Sequence, residues 1–504
     1  MNQLAKIFTR AADGLDAPLV SIEVHISGGL PCFSIVGLPE GAVKESKDRV
    51  RSALMNSKYR FPTQRITVSL APANLPKSGG RYDLGIALGL LIASGQLKPV
   101  KEMKAFEFYG ELGLDGAVRA TEGLLPALVQ GFASKHHLVI PETNIDESAL
   151  VSEADIYPCN HLLQICGFLS GVSEMEKLQV NSVVVNNASL DFAQVKGQYQ
   201  AKRAMEVAAS GGHNLLLIGP PGAGKTMLSE RLPSILPPLT KKQALERASI
   251  YSVAGQAVNV SELRTPPFRS PHHTCSAVAL AGGGAIPKPG EISLAHEGVL
   301  FLDELPEFPR AALEVLRQPL ENGVVHLSRA AKQVSFPANF QLIAAMNPCP
   351  CGYFGDGSQK CHCTEDQVSK YRSKISGPLL DRIDMVLELP PLPKELLLPS
   401  EGEGEGEIEN SESIRERVLN AYNIQLERQG KANDRLLSDE VDKLLQLDSD
   451  DRRLLETMIE KLSLSARAYY RTIKVARTIA DLDKSAKIKR AHLIEAVGYH
   501  RFNY

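Results

Sequence analysis

Short apolar runs and stretches of helical periodicity alternate along the chain, which predicts an α/β protein. Runs typical of strands lie at 20–26, 32–36 and 65–70, among helical stretches. Residues 84–93 form the longest apolar stretch, which is too short to span a bilayer and predicts a core helix. Residues 412–504 carry helical periodicity almost throughout and predict a small all-α domain.

One short apolar run, 215–218, enters a glycine-rich turn, and a helical stretch leaves it at 227–232. The turn fits the phosphate-loop pattern G-x-x-x-x-G-K-[ST]. Its residues, the expected nucleotide-binding set, are Gly219, Pro220, Pro221, Gly222, Ala223, Gly224, Lys225 and Thr226. Backbone N–H groups of such a turn, followed by a helix N-terminus, cradle a polyphosphate. Lys225 is expected to reach the β- and γ-phosphates and Thr226 to bind Mg²⁺, which predicts ATP binding.

A second apolar run, 299–302, ends in two carboxylates. We assign Asp303 to Mg²⁺ and Glu304 to polarising the attacking water, as the general base. An acidic turn after a buried strand is the alternative. The phosphate loop upstream favours the catalytic interpretation, so hydrolysis of ATP is predicted rather than binding alone.

Length and composition suggest roughly three domains for 504 residues. We place an α/β domain at 1–170, a linker at 171–190, the ATPase core at 191–393 with a Cys-rich insertion at 349–363, an acidic linker at 394–411 and a helical lid at 412–504. Alternating Glu and Gly at 401–407 cannot pack a core.

The formal net charge of −2 excludes a globally basic nucleic-acid-binding protein, so any such site must be a local patch. Residues 1–15 have scattered charges and lack the apolar core of a signal peptide. We expect a cytoplasmic protein without membrane contact.

Four of the eight cysteines form two Cys-x-Cys pairs: Cys349 with Cys351, and Cys361 with Cys363. Four thiolates can hold a tetrahedral Zn²⁺. The spacing is tighter than the usual Cys-x-x-Cys, His362 is a candidate substitute ligand, and a reduced Cys-rich surface loop is the alternative. We predict a structural zinc here.

Several motifs of the core resemble magnesium-chelatase-type AAA+ ATPases, and more narrowly the ComM/YifB group, to which the whole chain is collinear. They are Gly197-Gln-x-x-Ala-Lys-Arg203, the phosphate loop, Phe268-Arg-Ser-Pro-His-His273, 289–296 and 298–308. The resemblance implies a homo-hexameric ring with ATP at the subunit interfaces. For ComM-like members it also implies DNA branch migration during natural transformation, with recombination proteins as further partners.

The same resemblance carries over three residues of the ATPase cycle. Asn347, after the strand at 340–346, matches a sensor-1 residue that orients the lytic water. Arg382 matches an arginine finger given to the neighbouring subunit, with a local pair to Asp381 or Asp384 as the alternative. Arg467 resembles a sensor-2 residue, and Arg471 is its rival because both lie on one helix face.

Two insertions are candidate DNA contacts. The loop at 280–289 is expected to be flexible and carries Lys288, and 324–336 alternates as a β-hairpin would around Arg329 and Lys332. Six copies in a ring would line a positive pore for single-stranded or branched DNA, without sequence specificity. Solvated hairpin tips are the alternative.

The N-terminal domain resembles the protease domain of Lon, a ribosomal S5 domain 2-like α/β fold. The nucleophile's position holds Tyr82 or Asp83, and no lysine stands near 123–126, so the expected Ser–Lys pair is missing. We expect an inactive domain used for assembly or partner contact. Three functions compete: a DNA motor of the ComM type, a protein-remodelling ATPase of the magnesium-chelatase-subunit type, and an ATP-dependent protease.

Overall fold

The computed structural model describes residues 3–179, 190–257, 259–284, 287–329, 332–355, 360–391, 409–445, 447–461 and 465–499. The chain forms two compact units. The first takes in residues up to 186 together with 241–263, and the second takes in 187–240 and 264 onwards. Most of the predicted linkers, including 180–189 and 401–407, lie outside the described residues.

The first unit is α/β, as predicted. Its strands are β1 Leu4–Arg10, β2 Leu19–Ser27, β3 Cys32–Val36, β4 Arg65–Ala71, β5 Phe106–Phe108, β6 Glu111–Leu112, β7 Val118–Arg119, β8 His137–Pro141 and β9 Ile156–Cys159. Its helices are α1 Gly41–Asn56, α2 Asp83–Ala93, α3 Leu125–Ala133, α4 Ile145–Ser148 and α5 Leu162–Ser170. The strands predicted at 20–26, 32–36 and 65–70 are all present.

A mixed seven-stranded sheet in the order β3-β4-β2-β1-β5-β8-β9 organises this unit. Helix α2 packs on β1 and β2, and nearly all of its residues are buried. A helix that is apolar all round has to be surrounded by the core, which confirms the core helix expected at 84–93.

The second unit contains a parallel sheet and most of the helices. Its strands are β10 Leu215–Ile218, β11 Phe268–Arg269, β12 Gly282–Gly283, β13 Lys288–Pro289, β14 Gly298–Leu302, β15 Val324–Arg329, β16 Lys332–Pro337, β17 Phe340–Met346 and β18 Met385–Glu388. The helices that follow α5 along the chain are α6 Tyr199–Gly211, α7 Lys225–Arg231, α8 Lys241–Ala254, α9 Ala277–Ala281, α10 Glu291–Leu294, α11 Arg310–Glu314, α12 Arg317–Asn322, α13 Glu365–Arg372, α14 Gly377–Leu380, α15 Ser411–Gln429, α16 Ser438–Leu444, α17 Ser449–Lys461, α18 Ala466–Leu482 and α19 Arg490–Gly498.

Both units also contain 3-10 helices of a single turn. They lie at Met103–Ala105, Glu142–Asn144, Ala149–Val151, Phe192–Gln194, Leu232–Ser234, Val260–Glu262, Leu305–Glu307 and Asn433–Arg435.

The five-stranded sheet has the order β11-β14-β17-β10-β18, and all its pairs are parallel. Side chains of β10 alternate between two cores: Leu215 and Leu217 face one, Leu216 and Ile218 the other. A strand covered on both faces reads as a continuous apolar run, which explains the run that precedes the phosphate loop. Helices α15 and α18 pack against α6, so the helical C-terminal region shares one of these cores.

Helix α8 belongs to the first unit although it follows the phosphate loop in sequence. Ala248 is buried in a core formed with α3 and β8, and Leu245 and Leu263 pack against that core. The segment leaves the second unit after Leu239 and returns at Arg264, where the Leu239 N–H donates to the Arg264 carbonyl at 2.8 Å. This hydrogen bond joins the two residues of the second unit between which the inserted segment begins and ends.

The two candidate DNA-contact segments differ in outcome. The predicted hairpin is present as β15 and β16, which pair antiparallel with Arg329 opposite Lys332. The segment 280–289 was expected to be a flexible loop. This is wrong where Gly282–Gly283 and Lys288–Pro289 pair as a short antiparallel ladder. Within the described residues, no helix combines the length and the apolar character needed to cross a membrane.

Candidate nucleotide and metal sites

The phosphate loop joins β10 to α7 in the conformation that an anion-binding turn requires. Gly222 and Gly224 have φ values of +79° and +85°, which L side chains rarely adopt. The Lys225 side chain is largely buried, and its Nζ donates to the carbonyl oxygens of Gly219 at 2.7 Å and Pro220 at 3.0 Å. Burial lowers the pKa of Lys225, which Asp303 and Glu304 partly oppose. Contacts within the chain therefore fix the conformation of the loop.

The carboxylates after β14 lie beside this loop. The Thr226 hydroxyl donates to Asp303 Oδ2 at 2.7 Å, so the two predicted Mg²⁺ ligands already touch. An oxygen pair of this kind suits a cation that keeps several waters and takes one or two protein ligands. The backbone N–H of Glu304 donates to Asp303 Oδ1 at 2.9 Å, and Glu304 itself has a left-handed φ of +52°. Backbone outliers of this kind cluster at functional sites.

Asn347 completes the group. Its strand β17 is the parallel neighbour of β10, with Met346 opposite Ile218. Asn347 therefore leaves the sheet at the level of the phosphate loop, and its Oδ1 accepts from Lys225 Nζ at 3.0 Å. The structure brings Lys225, Thr226, Asp303, Glu304 and Asn347 together at one edge of the sheet.

Sequence reasoning left His273 out of this group. Its Nδ1 lies 3.1 Å from Glu304 Oε2, and its ring contacts that of His272 in a tilted arrangement, with centroids 4.1 Å apart and an interplanar angle of 34°. Knowledge of the strand order in the sheet would have predicted that His273 lies near Glu304. Because β11 pairs with β14, residues after Arg269 and after Leu302 leave the sheet at the same edge.

The four grouped cysteines converge as predicted. Their sulfur atoms all lie within 4.8 Å of one another, and Cys349 Sγ is 3.3 Å from Cys351 Sγ and 3.8 Å from Cys361 Sγ. Tetrahedral ligands with bonds of about 2.3 Å are separated by roughly 3.8 Å. This cluster can therefore hold a metal ion, and Cys363 rather than His362 is its fourth member.

The cysteine loop also packs on the phosphate loop. A Cβ added at Gly352 would lie 2.7 Å from Pro221 Cδ, and the φ of Gly352 is +87°. Only glycine allows the two loops this approach. Asn347 lies between β17 and Cys349, so whatever fixes the cysteines also fixes Asn347.

The two candidate arginines lie away from this site. Arg382 precedes β18, whose Met385 is opposite Leu215, at the amino end of β10. The phosphate loop begins at the other end of that strand, about 13 Å further along for its four residues. Arg382 pairs with Glu321 and donates to the Pro378 carbonyl at 2.7 Å. Arg382 therefore has a pair within the chain, as the alternative expected, but its partner is Glu321 rather than Asp381 or Asp384.

Arg467 and Arg471 have different surroundings. Arg382 lowers the pKa of Glu321 through their hydrogen bond, and the charge of Arg467 lowers it further. Arg467 is exposed. Arg471 donates to the Leu380 carbonyl at 3.4 Å and contacts that of Ile383. Arg471 therefore ties α18 to the segment before β18, which favours Arg467 as the residue free to act elsewhere.

The structure describes the side chain of only one of the three candidate DNA-contact residues. Lys288 is exposed in the short ladder β12–β13. Arg329 and Lys332 face each other at the last backbone pair before the hairpin tip, and their side chains lie outside the described part of the structure.

Three family models match the chain. "Magnesium chelatase, subunit ChlI" covers residues 191–397, "Subunit ChlI of Mg-chelatase" covers 22–144, and "Magnesium chelatase, subunit ChlI C-terminal" covers 408–500. The chain is 48% identical to the uncharacterized protein YifB of Salmonella typhimurium, over 98% of this chain and 97% of that protein.

Two further relatives bear on function. The competence protein ComM of Haemophilus influenzae is also 48% identical, with 98% of this chain and 97% of that protein covered. Lon protease 2 of Bacillus subtilis is 27% identical over 32% of this chain and 33% of its own length. The similarity to Lon protease 2 therefore covers only part of each protein.

His273 offers a test of how Glu304 is controlled. His273 bonds the carboxylate that should polarise water, so we expect His273→Asn to raise basal ATP turnover. Removal of one hydrogen bond of about 1 kcal/mol corresponds to roughly a fivefold change in rate. Steady-state phosphate release measures it.

The matched control is His272→Asn, since the neighbouring imidazole bonds Thr274 Oγ1 at 2.9 Å and not Glu304. It should leave turnover unchanged. A fall in turnover for His273→Asn would mean that the imidazole helps Glu304 in the active state rather than holding it back.

Proposed function

This chain belongs to the magnesium-chelatase-like AAA+ family that contains YifB and ComM, and on that premise we propose that it is a hexameric, ATP-hydrolysing DNA motor. Its task would be branch migration or unwinding during the recombination of incoming DNA in natural transformation. The observation that carries the proposal is the convergence of Lys225, Thr226, Asp303, Glu304 and Asn347 at one sheet edge, in a chain similar over nearly its full length to a competence protein.

Each of these residues has a role in the proposed hydrolysis. The loop N–H groups and Lys225 would bind the phosphates, and Thr226 and Asp303 would hold Mg²⁺, which would supply neutralisation of the negative charge of the triphosphate. Glu304 accepts a proton from the attacking water, and the Asn347 amide orients that water. Asn347 also accepts from Lys225, which links the position of the lysine to the position of the water.

Arg382 supports the ring assembly. It lies at the amino end of β18, whereas the phosphate loop of the same chain begins at the carboxyl end of β10. A guanidinium that stabilises charge on the γ-phosphate must reach it directly. Arg382 would therefore serve the nucleotide of a neighbouring copy.

DNA would be held by the two hairpins. The β15–β16 tip places Arg329 opposite Lys332, and Lys288 lies in the second ladder. In a ring of six these cations would form a positive lining that binds phosphates without reading bases.

We also propose that the cysteine cluster binds zinc in a structural role. Four sulfur donors at tetrahedral spacing suit this ion better than Mg²⁺ or Ca²⁺, which prefer oxygen. Cross-linking the loop would hold Gly352 against Pro221 and Asn347 beside Lys225.

The second candidate function is protein remodelling of the magnesium-chelatase type, which the descriptions of the three family models favour. A protease is less well supported by the described residues. Asp83 is bound by Arg49, with Nε 2.6 Å from Oδ2. Lys77 donates to the Pro72 carbonyl rather than to a hydroxyl. A Ser–Lys protease needs the lysine beside its nucleophile.

The DNA motor is tested by ATP turnover with and without single-stranded and branched DNA. We expect stimulation by DNA in the wild type and its loss in Arg329→Ala/Lys332→Ala, because the pore would no longer hold the phosphates. Lys484→Ala/Lys487→Ala, two exposed lysines before α19, is the control and should keep the stimulation. No response of the wild type to any DNA would reject the motor and favour protein remodelling.

The arginine finger is tested by mixing variants. Arg382→Ala should lower ATP turnover by about 10³-fold or more, and so should Lys225→Ala. Mixed together they should recover part of the activity, because Lys225→Ala subunits donate Arg382 to intact phosphate loops. The double variant mixed with Arg382→Ala is the control. Equal recovery in that mixture, or normal turnover of Arg382→Ala alone, would contradict action between subunits.

Zinc is tested by metal analysis of protein purified without chelators. We expect about one zinc per chain. It should disappear in Cys351→Ser/Cys361→Ser together with much of the ATP turnover, because Asn347 would lose its support. Cys32→Ser, an exposed cysteine of the first unit, should keep both. Metal-free wild-type protein with full turnover would reject the proposal.

A further inference from the structure

A large excess of positive charge in the first unit lies between residues 41 and 65, on α1 and the segment that follows it. This stretch contains seven cations, Lys44, Lys47, Arg49, Arg51, Lys58, Arg60 and Arg65, against the two acids Glu45 and Asp48. The whole chain has a net charge of −2. A local excess of this size in a nearly neutral chain is the electrostatic footprint of a polyanion site.

Six of the seven cations are exposed, and their side chains have no carboxylate partner among the described residues. Arg49 is the exception, since it is bound by Asp83 and lies 3.7 Å from Glu45. We call the six the basic face: Lys44, Lys47, Arg51, Lys58, Arg60 and Arg65. Exposed charges without such a partner are available to a ligand.

Helix geometry places three of these residues on one flank of α1. Lys44, Lys47 and Arg51 follow the spacing i, i+3 and i+7, while the adjoining flank, with Val43, Val50 and Leu54, is buried in the core. Most apolar residues of α1 are covered by the core, and Met55 is its exposed large apolar residue. The exposed surface of the helix is therefore mainly charged, with little apolar area to insert into a lipid surface.

Two partly exposed aromatic rings adjoin the basic face. Phe33 on β3 and Phe61 stack with centroids 6.1 Å apart and an interplanar angle of 27°. The Arg51 guanidinium lies 5.5 Å over the Phe61 ring. Cations beside aromatic rings are the usual surface for single-stranded nucleic acid, where phosphates meet the charges and bases stack on the rings.

The segment that carries this surface is held in place. The Gln96 side chain receives the Arg60 N–H at 2.8 Å and donates to the Arg60 carbonyl at 2.7 Å. The Tyr59 N–H donates to the Leu54 carbonyl at 3.0 Å, so the chain turns back directly after α1. The basic face is thus a formed surface rather than a loose tail.

We propose that the basic face binds single-stranded DNA. It gives the first unit a DNA contact of its own, separate from the two hairpins of the second unit, and so goes beyond the proposed motor. Such a contact would keep a displaced strand attached to the chain while the ATPase core acts. It depends on backbone charge and stacking and so requires no sequence preference.

The first test uses the unmodified full-length protein and labelling of lysines by an amine-reactive reagent, read by mass spectrometry. With oligo(dT) present we expect Lys44, Lys47 and Lys58 to be protected severalfold, and the exposed Lys484 and Lys487 to label as before. Equal labelling with and without bound DNA would overturn the inference. Protection of the three lysines by anionic vesicles but not by oligo(dT) would overturn it too.

The second test measures oligo(dT) affinity by fluorescence anisotropy over a range of salt. For Lys44→Gln/Lys47→Gln/Arg60→Gln we expect at least tenfold weaker binding and a salt slope lower by about 2, because each phosphate that a cation neutralises contributes roughly 0.7 to the slope. Lys484→Gln/Lys487→Gln/Arg490→Gln is the charge-matched control. Thermal melting of the same variants establishes that they are folded. Unchanged affinity and slope in the first variant would overturn the inference.

ATP turnover on the same samples separates this inference from the proposed function. Protected lysines without stimulation by DNA would support the basic face and reject the motor. DNA-stimulated turnover without protection would reject the basic face and leave the motor. A wild type that binds no single-stranded DNA would reject the basic face, and if its turnover also fails to respond to branched DNA, the motor is rejected as well.

Discussion

Parallel pairing of β10 with β17, and of β17 with β14, is the constraint on which the proposed site depends. Parallel strands end at the same edge of their sheet, so the residues after Ile218, Leu302 and Met346 are brought together by register alone. The contacts of Lys225 with Asn347 and of Thr226 with Asp303 follow from that register. A slip of one residue would turn the side chains of a strand to the opposite face and separate the groups. The two cores on either side of β10 fix the register by burying alternate residues.

Where the sequence contained local patterns, it predicted the fold well. A continuous apolar run bounded by a glycine-rich turn identified β10, and alternation identified the β15–β16 hairpin, with β15 starting at Val324 as predicted. The cysteine group was also visible, because ligand spacing is itself a sequence pattern. These features need only neighbours in sequence, so single-sequence reasoning is sufficient for them.

Contacts between residues far apart in the chain could not be predicted from local sequence patterns. The His273–Glu304 contact requires knowledge that β11 is next to β14, and the Arg382–Glu321 pair joins residues far apart in sequence. No local sequence pattern predicts that α8 belongs to the first unit, because its helical periodicity would be the same in either unit. The basic face is hidden in the sequence since its charges are diluted by a nearly neutral chain, and only exposure and pairing distinguish Arg49 from the other six.

The inserted segment 241–263 also sets an order of events during synthesis. Most of the first unit precedes the second along the chain, yet Ala248 and Leu263 complete one of its cores. That core must wait, with α3 and β8 incompletely covered, until β10 and the phosphate loop have been translated. Domains usually fold as units in the order of their synthesis. Here the nascent chain has to keep apolar surface of its first unit protected while the second unit is only partly made, which gives chaperones that bind nascent chains a defined period in which to act.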